Sequence, residues 1–363
     1  MASNLTTSNT ATDQTFPGTP RPHIIFTTDL SGPAALALLQ QPGVCAALAK
    51  GSYGVALGMM RLTDEHAAVA RLLHEHGIPT VAWLILPSEQ GFSFNSQNYP
   101  QALACYDVFR AWVLRHDLHF DAVGLEVAPP EDVVSFEDFS ARHIAHRFWI
   151  AGENMLFPAA RAAYIELVAL MHHDGYEVHA YQLPFVADDR RAGTTLIQRA
   201  LEIVDMPADV DVLMCPSSVP LEPLGSDLGG ALIASYGPVA DAIGLSVSEQ
   251  TNESIAPLPW HAIRRDLLLA ARFTDTIYVD TLEACIEHGL LERITALDWD
   301  DHARADKGRR VAVEVLRTIV LAVLITARFG PVAVAWSGWV LAALLWLQGR
   351  RKGTKEQRNK GTK

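Results

Sequence analysis

Short apolar runs recur along the chain and alternate with longer amphipathic stretches. A run that is apolar throughout, such as residues 79–87, is typical of a strand covered on both faces. The stretches between the runs carry helix start and stop signals, such as Thr63 and Asp64 before one helix and Gly77 after it. The runs lie at residues 23–30, 53–60, 79–87, 120–127, 176–184, 210–216, 241–249 and 274–283. The pattern therefore predicts eight strand–helix units.

Alternating strands and helices are typical of two α/β architectures, a closed (β/α)8 barrel and an open doubly wound sheet. Eight units in roughly 275 residues match the ~250 residues of a typical barrel. The first run is not followed by GxGxxG, the phosphate-binding turn of many doubly wound sheets. We therefore predict an α/β fold with a (β/α)8 TIM barrel over residues 23–300.

The first 22 residues have a different composition from the body. They are rich in Ser, Thr, Asn and Pro, and they contain no apolar core of signal-peptide length. We expect residues 1–22 to be a disordered lead, and the barrel to lie on the cytoplasmic side of a membrane.

Residues 301–349 form a hydrophobic segment that the barrel pattern does not include. Residues 329–349 contain no charged side chain, and about 20 apolar residues span a bilayer. Residues 311–327 are apolar except for Glu314 and Arg317, which could pair on one helix face. Four alternatives follow: a single span, a membrane-anchored helical hairpin, a helical extension packed on the barrel, or an oligomer interface. Residues 350–363 are predicted to be a disordered basic tail that flanks the membrane.

Charge is unevenly distributed along the chain. The formal net charge is −12, yet residues 304–363 hold thirteen Lys and Arg against three acidic residues. The rest of the protein is therefore strongly acidic, which argues against nucleic acid as a partner because phosphate attracts the opposite sign. The four cysteines, Cys45, Cys105, Cys215 and Cys285, are widely spaced and form no CxxC. We expect them to be small buried hydrophobic residues rather than disulfides or metal ligands.

The carboxyl ends of barrel strands meet at one active-site mouth, so residues there are the first candidates for chemistry. Glu126 ends the fourth run, where Ala122, Gly124 and Glu126 alternate with the larger Val123 and Leu125. This alternation points Glu126 into the mouth, where partial burial would raise its pKa and suit it to be a general acid. Glu249 ends the seventh run and could be the nucleophile or the base that activates water.

Other polar residues at predicted strand ends are candidates for substrate binding. A loop with aromatic and amide side chains (Phe92, Phe94, Asn95, Asn98 and Tyr99) could stack on a sugar or pack as an ordinary loop. His143 and His146 have the spacing of a helix face but no third ligand nearby, so no metal and no cofactor is predicted. The predicted substrate-binding residues are Asp29, Tyr181, Gln182, Tyr278 and Asp280.

The placement of Glu126 and Glu249 resembles the clan of retaining (β/α)8 glycoside hydrolases, in which the acid/base Glu ends strand four and the nucleophile Glu ends strand seven. The resemblance covers roughly residues 23–300 and rests on topology. In that clan Asn usually precedes the strand-four Glu, whereas this chain has Leu125. Chitinase-like barrels are similar in carrying their acid at the end of strand four, but Asp121 here is not followed by their alternating Asp residues.

Three functions remain open at this point. The first is a glycoside-hydrolase-like enzyme that acts on a carbohydrate and is anchored to a membrane. The second is a barrel lyase or isomerase of a small metabolite. The third is a non-catalytic barrel scaffold tethered to the membrane. An open cleft with two converging carboxylates would favour the first, and a Glu126 held in a salt bridge at an occluded mouth would favour the third.

Overall fold

Eight parallel strands close into a barrel in the computed structural model, which describes residues 21–130, 133, 141–218, 225–250 and 255–329. Around the barrel the strands follow the order β1-β10-β7-β6-β5-β4-β3-β2, and every neighbouring pair is parallel. The closed barrel confirms the (β/α)8 prediction over the open-sheet alternative. The barrel strands are β1 His23–Thr28, β2 Gly54–Gly58, β3 Thr80–Leu84, β4 Ala122–Glu126, β5 Glu177–Gln182, β6 Val210–Met214, β7 Ala242–Ser246 and β10 Thr276–Asp280.

Helices surround the barrel and connect successive strands. The α-helices are α1 Gly32–Leu39, α2 Val44–Gly51, α3 Asp64–Glu75, α4 Tyr99–His116, α5 Ala141–Ile150, α6 Phe157–His173, α7 Val186–Ala192, α8 Leu196–Leu201, α9 Gly229–Tyr236, α10 Trp260–Ala270, α11 Leu282–Glu287 and α12 Leu290–Thr295. Short 3₁₀ turns lie at Ser88–Gln90, Ala151–Glu153 and Gly237–Val239. A further helix spans residues 307–329 and is called the C-terminal helix below.

Alternation along the strands divides the core into two layers, as the sequence predicts. Val123 and Leu125 of β4 face outward, and both are fully buried between the strands and the helices. Ala122 faces inward, into a smaller cluster that includes Tyr181 and Tyr278. Burying one large aliphatic side chain contributes about 1.5–3 kcal/mol, so the extensive outer layer holds the helices on the barrel.

All four cysteines are free thiols. Three of them, Cys45, Cys215 and Cys285, are buried, and Cys105 is half-buried. This confirms the prediction that they pack as hydrophobic residues.

One strand ends earlier than the sequence pattern predicts. The run at 241–249 suggests a seventh strand that ends at Glu249, but β7 ends at Ser246. Glu249 lies instead on β8 Ser248–Gln250, which pairs antiparallel with β9 Ile255–Pro257. The backbone leaves the barrel after Val247, whose N–H still donates to the Asp280 carbonyl at 2.9 Å. The Ser246 hydroxyl donates to the Ser248 carbonyl at 2.7 Å. Glu249 therefore belongs to the two-stranded β8–β9 sheet and not to the barrel. The structure describes its backbone but not its side chain.

The C-terminal helix packs on the side of the barrel. Arg317 donates to Asp188 of α7 at 2.7 Å and its guanidinium lies 4.1 Å from the ring centroid of Tyr236. Asp188 is fully buried, and Leu324 is buried on the same side of the helix. The expected pairing of Arg317 with Glu314 is therefore wrong, because a buried carboxylate on the barrel supplies a better partner than an adjacent, partly solvated one.

The outer face of the C-terminal helix is apolar and exposed. Val311, Val315, Ile319 and Val323 recur every four residues, and each is about half exposed. Among the described residues, no single helix has both the length and the apolar composition to cross a bilayer, although two strongly bent helix pairs do. The uncharged stretch 330–349 and the basic tail 350–363 lie outside the described residues, as do residues 1–20 of the predicted lead.

Candidate functional site

A cavity of about 500 Å³ opens at the carboxyl ends of the strands. This volume lies within the range of small-molecule sites, roughly 300–1,000 Å³. Glu126 at the end of β4 and Asp280 at the end of β10 both line it, although their strands lie on different sides of the barrel. The mouth of the barrel therefore brings together two carboxylates that are far apart in sequence.

Glu126 has a strongly perturbed environment in the cavity. Burial raises the pKa of Glu126 to about 7, and the nearby charge of Asp280 acts in the same direction. The indole Nε1–H of Trp83 donates to Oε2 of Glu126 at 3.1 Å and partly opposes the rise in pKa. A carboxyl that titrates near neutrality can be protonated or ionised at working pH, which suits a general acid or base.

Asp280 is held in place by its neighbour on β1. The Thr27 hydroxyl donates to Oδ1 of Asp280 at 2.6 Å, and the two residues are paired in register. Burial raises the pKa of Asp280, the Thr27 hydrogen bond opposes this rise, and the charge of Asp29 adds to it. Asp280 is joined to Thr281 by a cis peptide bond. Glu126 and Asp280 have different hydrogen-bond partners, so the two carboxyl groups can take different protonation states. Acid/base chemistry requires such a difference.

Aromatic side chains form one wall and the floor of the cavity. Trp83 of β3 lies edge-on to Tyr181 of β5, with ring centroids 5.9 Å apart, and Tyr181 meets Tyr278 of β10 at 5.0 Å. Gly124 makes room for this arrangement, because a Cβ there would lie 2.5 Å from the Tyr181 ring. Flat aromatic surfaces beside carboxylates suit a ligand with both apolar faces and polar edges.

The charge of the cavity lining is one-sided. Asp29, Glu126, Asp280, Glu283 and Glu287 all line it, together with His288. Among the residues that the structure describes, no Lys or Arg reaches the cavity wall. Such a lining disfavours phosphorylated or carboxylated ligands and accommodates neutral or cationic ones.

The structure brings together most of the residues predicted to bind substrate. Asp29, Tyr181, Tyr278 and Asp280 line the cavity with Glu126. Gln182 does not, because it follows Tyr181 on the same strand and faces the other way. Its amide Nε2 donates to Asp211 at 2.6 Å, in a network outside the barrel interior.

The loop after β3 contributes one aromatic side chain to the site. Phe92, with φ of 57°, lines the cavity. Phe94 is fully buried and stacks on Tyr164 at 6.4 Å, while Asn98 accepts from the backbone N–H of Asn95 at 3.0 Å. Apart from Phe92, the loop is therefore a packed structural element, one of the two alternatives considered from the sequence.

Two residues that the sequence reading missed are central to the site. Trp83 lies in a uniformly apolar run, but it shares the inward parity of Val81, and that alternation is the signal that identifies it. Thr27 carries no such signal, because the first run reads as a buried strand. Its hydroxyl shows its role only through its register with Asp280.

Within the described ranges, no group of three or more His, Cys, Asp and Glu side chains is placed to hold a metal ion.

No family model and no curated protein matches the sequence. Solved structures similar to this chain include a GH18 chitinase from Pseudoalteromonas aurantia, with 11% identity and a TM-score of 0.43 over 75% of this chain and 98% of that one. A D-psicose 3-epimerase from Clostridium cellulolyticum H10 has 11% identity and a TM-score of 0.37 over 84% and 99% of the two chains. An L-ribulose 3-epimerase has 13% identity and a TM-score of 0.37 over 86% and 98%. Likenesses this distant carry no argument about function, and the barrel assignment rests on the strand pairing itself.

Proposed function

We propose that this protein is a barrel enzyme that acts on a neutral carbohydrate by carboxylate acid/base catalysis, with glycoside hydrolysis as the reaction. The observation that carries the proposal is the environment of Glu126, whose pKa burial raises to about 7 in a cavity that also holds Asp280. Glu126 would protonate the leaving oxygen as general acid. Glycosidic bond cleavage needs such an acid and a second carboxylate.

Two residues are candidates for the second carboxylate. Asp280 is supported by its position in the same cavity and by the effect of its charge on Glu126. Glu249, the residue favoured by the sequence, lies on β8 beside Ser248, which also lines the cavity. Either would act as the nucleophile or as the base that activates water.

The charge of the cavity supports a neutral sugar as the substrate. A ring with apolar faces can stack on Trp83 or Phe92, while its hydroxyl groups bond to the acidic side chains. A phosphorylated metabolite would meet Asp29, Glu126 and Asp280 without a compensating cation from the described residues. The lyase or isomerase alternative therefore applies to unphosphorylated sugars.

The environment of Glu126 also argues against the scaffold alternative. That alternative expects a Glu126 held in a salt bridge at an occluded mouth. Among the described residues, the side-chain hydrogen-bond partner of Glu126 is the neutral indole of Trp83, and no Lys or Arg pairs with it. A carboxylate left unpaired in a cavity is typical of a functional site.

The experiment is to incubate the full-length protein with a panel of aryl glycosides and with unmodified monosaccharides. We expect release of the aryl alcohol from at least one glycoside, and loss of at least 100-fold in kcat/KM in Glu126→Gln. Glu166→Gln, on an exposed part of α6, is the matched control. Epimerisation of a free sugar without hydrolysis would replace the hydrolase assignment with the isomerase one. No turnover of either class would refute the enzyme proposal.

We also propose that residues 329–349 attach the protein to a membrane as a single span. The packing of the C-terminal helix on the barrel through buried Arg317 supports a single span over a hairpin that would insert both segments. Deleting residues 330–363 leaves the packed helix intact. The deletion should move the protein from the membrane fraction to the soluble fraction. Full-length protein that is already in the soluble fraction would contradict the anchor.

A further inference from the structure

The carboxylate of Asp280 receives a hydrogen bond from a side chain that the barrel itself holds in place. The hydroxyl of Thr27 donates to Oδ1 of Asp280 at 2.6 Å, and no other donor to this carboxylate is present among the described residues. Thr27 is buried on β1, and its register with Asp280 on β10 sets the two side chains next to each other. A branched side chain in a strand has few χ1 rotamers, so the direction of this hydroxyl is fixed by the fold.

The length of this bond is typical of an ionised acceptor. Hydrogen bonds from a hydroxyl to a carboxylate are roughly 2.5–2.7 Å long and stronger than those between neutral groups. In contrast, the indole of Trp83 lies 3.1 Å from Oε2 of Glu126, at the long end for an N–H donor. Hydrogen bonding therefore favours the charged form of Asp280 more strongly than the charged form of Glu126.

The rest of the surroundings favour a protonated Asp280. Burial raises the pKa of Asp280, and the charge of Asp29 adds to this rise. Of the nearby titratable groups only His288 could carry a positive charge, and it forms no ion pair with Asp280. Without the Thr27 hydroxyl, Asp280 would therefore have no group among the described residues that stabilises its charge. The titratable groups in or beside the cavity are Asp29, Glu126, Glu283, Cys285, Glu287 and His288.

The second oxygen of Asp280 is left for a ligand. Oδ2 has no hydrogen-bond partner in the part of the chain that the structure describes, and Asp280 lines the cavity. A carboxylate with one oxygen fixed and the other unoccupied is suited to attack a sugar carbon or to take a proton from water.

We propose that Thr27 is a positioning residue for the reaction: its hydroxyl holds Oδ1 and keeps Asp280 ionised, so that Oδ2 acts as the nucleophile or as the base. Asp280, rather than Glu249, is then the second carboxylate. As nucleophile, Oδ2 bonds to the anomeric carbon while the bond to the leaving oxygen breaks and Glu126 gives that oxygen its proton; water then releases the sugar. As base, Oδ2 takes a proton from the water that attacks the same carbon. The reaction rests on the proposed function, whereas the bond between Thr27 and Asp280 does not.

The first test is a ¹³C NMR titration of labelled aspartate carboxyls in the full-length protein, with Asp280→Asn used to assign the signal. Thr27→Val keeps the shape of the side chain and removes its hydroxyl, so the pKa of Asp280 should rise by about one unit. Thr27→Ser should keep the wild-type value. Thr28→Val is the matched control, since the Thr28 hydroxyl is buried and has no partner among the described residues. An unchanged pKa of Asp280 in correctly folded Thr27→Val would overturn the proposal.

The second test measures the pH profile of kcat and the value of KM on the glycoside that responds in the panel. Thr27→Val should lower kcat by about 10-fold with KM near its wild-type value. The acidic limb of the profile should move to higher pH, because Asp280 must lose its proton before it can act, and Thr27→Ser should restore both. A lower kcat with an unmoved acidic limb would indicate a structural role and overturn the positioning role, while the enzyme proposal would stand. Absence of turnover in the wild-type protein would refute the enzyme proposal and the positioning role together, and the titration would still decide whether Thr27 keeps Asp280 ionised.

Discussion

Trp83 and Glu126 are joined by a hydrogen bond of 3.1 Å from the indole Nε1–H to a carboxylate oxygen. The two residues lie on neighbouring strands, at the point where the barrel opens into the cavity. An indole can donate but cannot accept, so this contact is formed with the lone pairs of the carboxyl and favours its ionised form. It therefore opposes the effect of burial on Glu126.

Replacing Trp83 by Phe should raise the pKa of Glu126 above its value of about 7. The rise should be about one unit, because one hydrogen bond to the charged form is lost in a buried site. The measurement is a ¹³C NMR titration of labelled glutamate carboxyls, with Glu126→Gln for assignment. Trp112→Phe is the control, since the buried indole N–H of Trp112 has no partner among the described residues. A lower or unchanged pKa in Trp83→Phe would contradict the electrostatic account.

Asp280→Asn should lower the pKa of Glu126, because it removes a nearby negative charge. If Asp280 is the second catalytic carboxylate, kcat on the responsive glycoside should also fall by at least 100-fold. The informative comparison is Glu249→Gln, measured on the same substrate. A large loss of turnover in Glu249→Gln together with near-normal turnover in Asp280→Asn would assign the second role to Glu249 instead.

The raised pKa of Glu126 makes the stability of the protein depend on pH. The carboxyl has an ordinary pKa of 4.5 when unfolded and about 7 when folded, so the folded state binds more protons between these values. The contribution of Glu126 to stability is therefore complete below about pH 4.5 and is lost as the pH rises to 7, by up to about 3 kcal/mol.

Urea unfolding at pH 5 and pH 8 measures this effect. Glu126→Gln cannot ionise, so its stability relative to wild type should increase between the two pH values, whereas the exposed Glu166→Gln should show no such change. The same stability difference at both pH values would show that Glu126 titrates normally.

Breaking the contact between Arg317 and Asp188 should release the C-terminal helix. Arg317→Met leaves a fully buried carboxylate without its cation and should cost about 3–5 kcal/mol. The double variant Asp188→Asn with Arg317→Met should recover part of this loss. Limited proteolysis within residues 307–329 measures the release of the C-terminal helix, and urea unfolding measures the loss of stability. The exposed Arg310→Met is the control. Equal stability of Arg317→Met and Arg310→Met would show that the contact between Arg317 and Asp188 does not hold the C-terminal helix on the barrel.

The sequence predicts the barrel well because its evidence is local. Each strand is a short apolar run, and alternation on β4 is enough to place Glu126 at the mouth with Val123 and Leu125 behind it. The sequence pattern extends β7 to Glu249, whereas the pairing of β7 with β10 ends with the bond from the Val247 N–H to the Asp280 carbonyl. Periodicity detects the burial of side chains, but it does not detect where strand pairing stops.

The rest of the site depends on contacts between distant strands. The sequence predicts Asp280 to be a binding residue, but its effect on Glu126 follows from the closure of the barrel, which no local pattern shows. Likewise, Glu314 is the nearest acidic neighbour of Arg317 in sequence. The actual partner, Asp188, lies 129 positions away and becomes available only when the C-terminal helix docks.

The most direct test of the central claim is the titration of the Glu126 carboxyl in the wild-type protein, by ¹³C NMR between pH 3 and pH 9. The account predicts a midpoint near the value of about 7 that burial and the charge of Asp280 produce. A midpoint near the ordinary 4.5 would show that Glu126 is a solvated carboxylate, and it would contradict its role as the general acid.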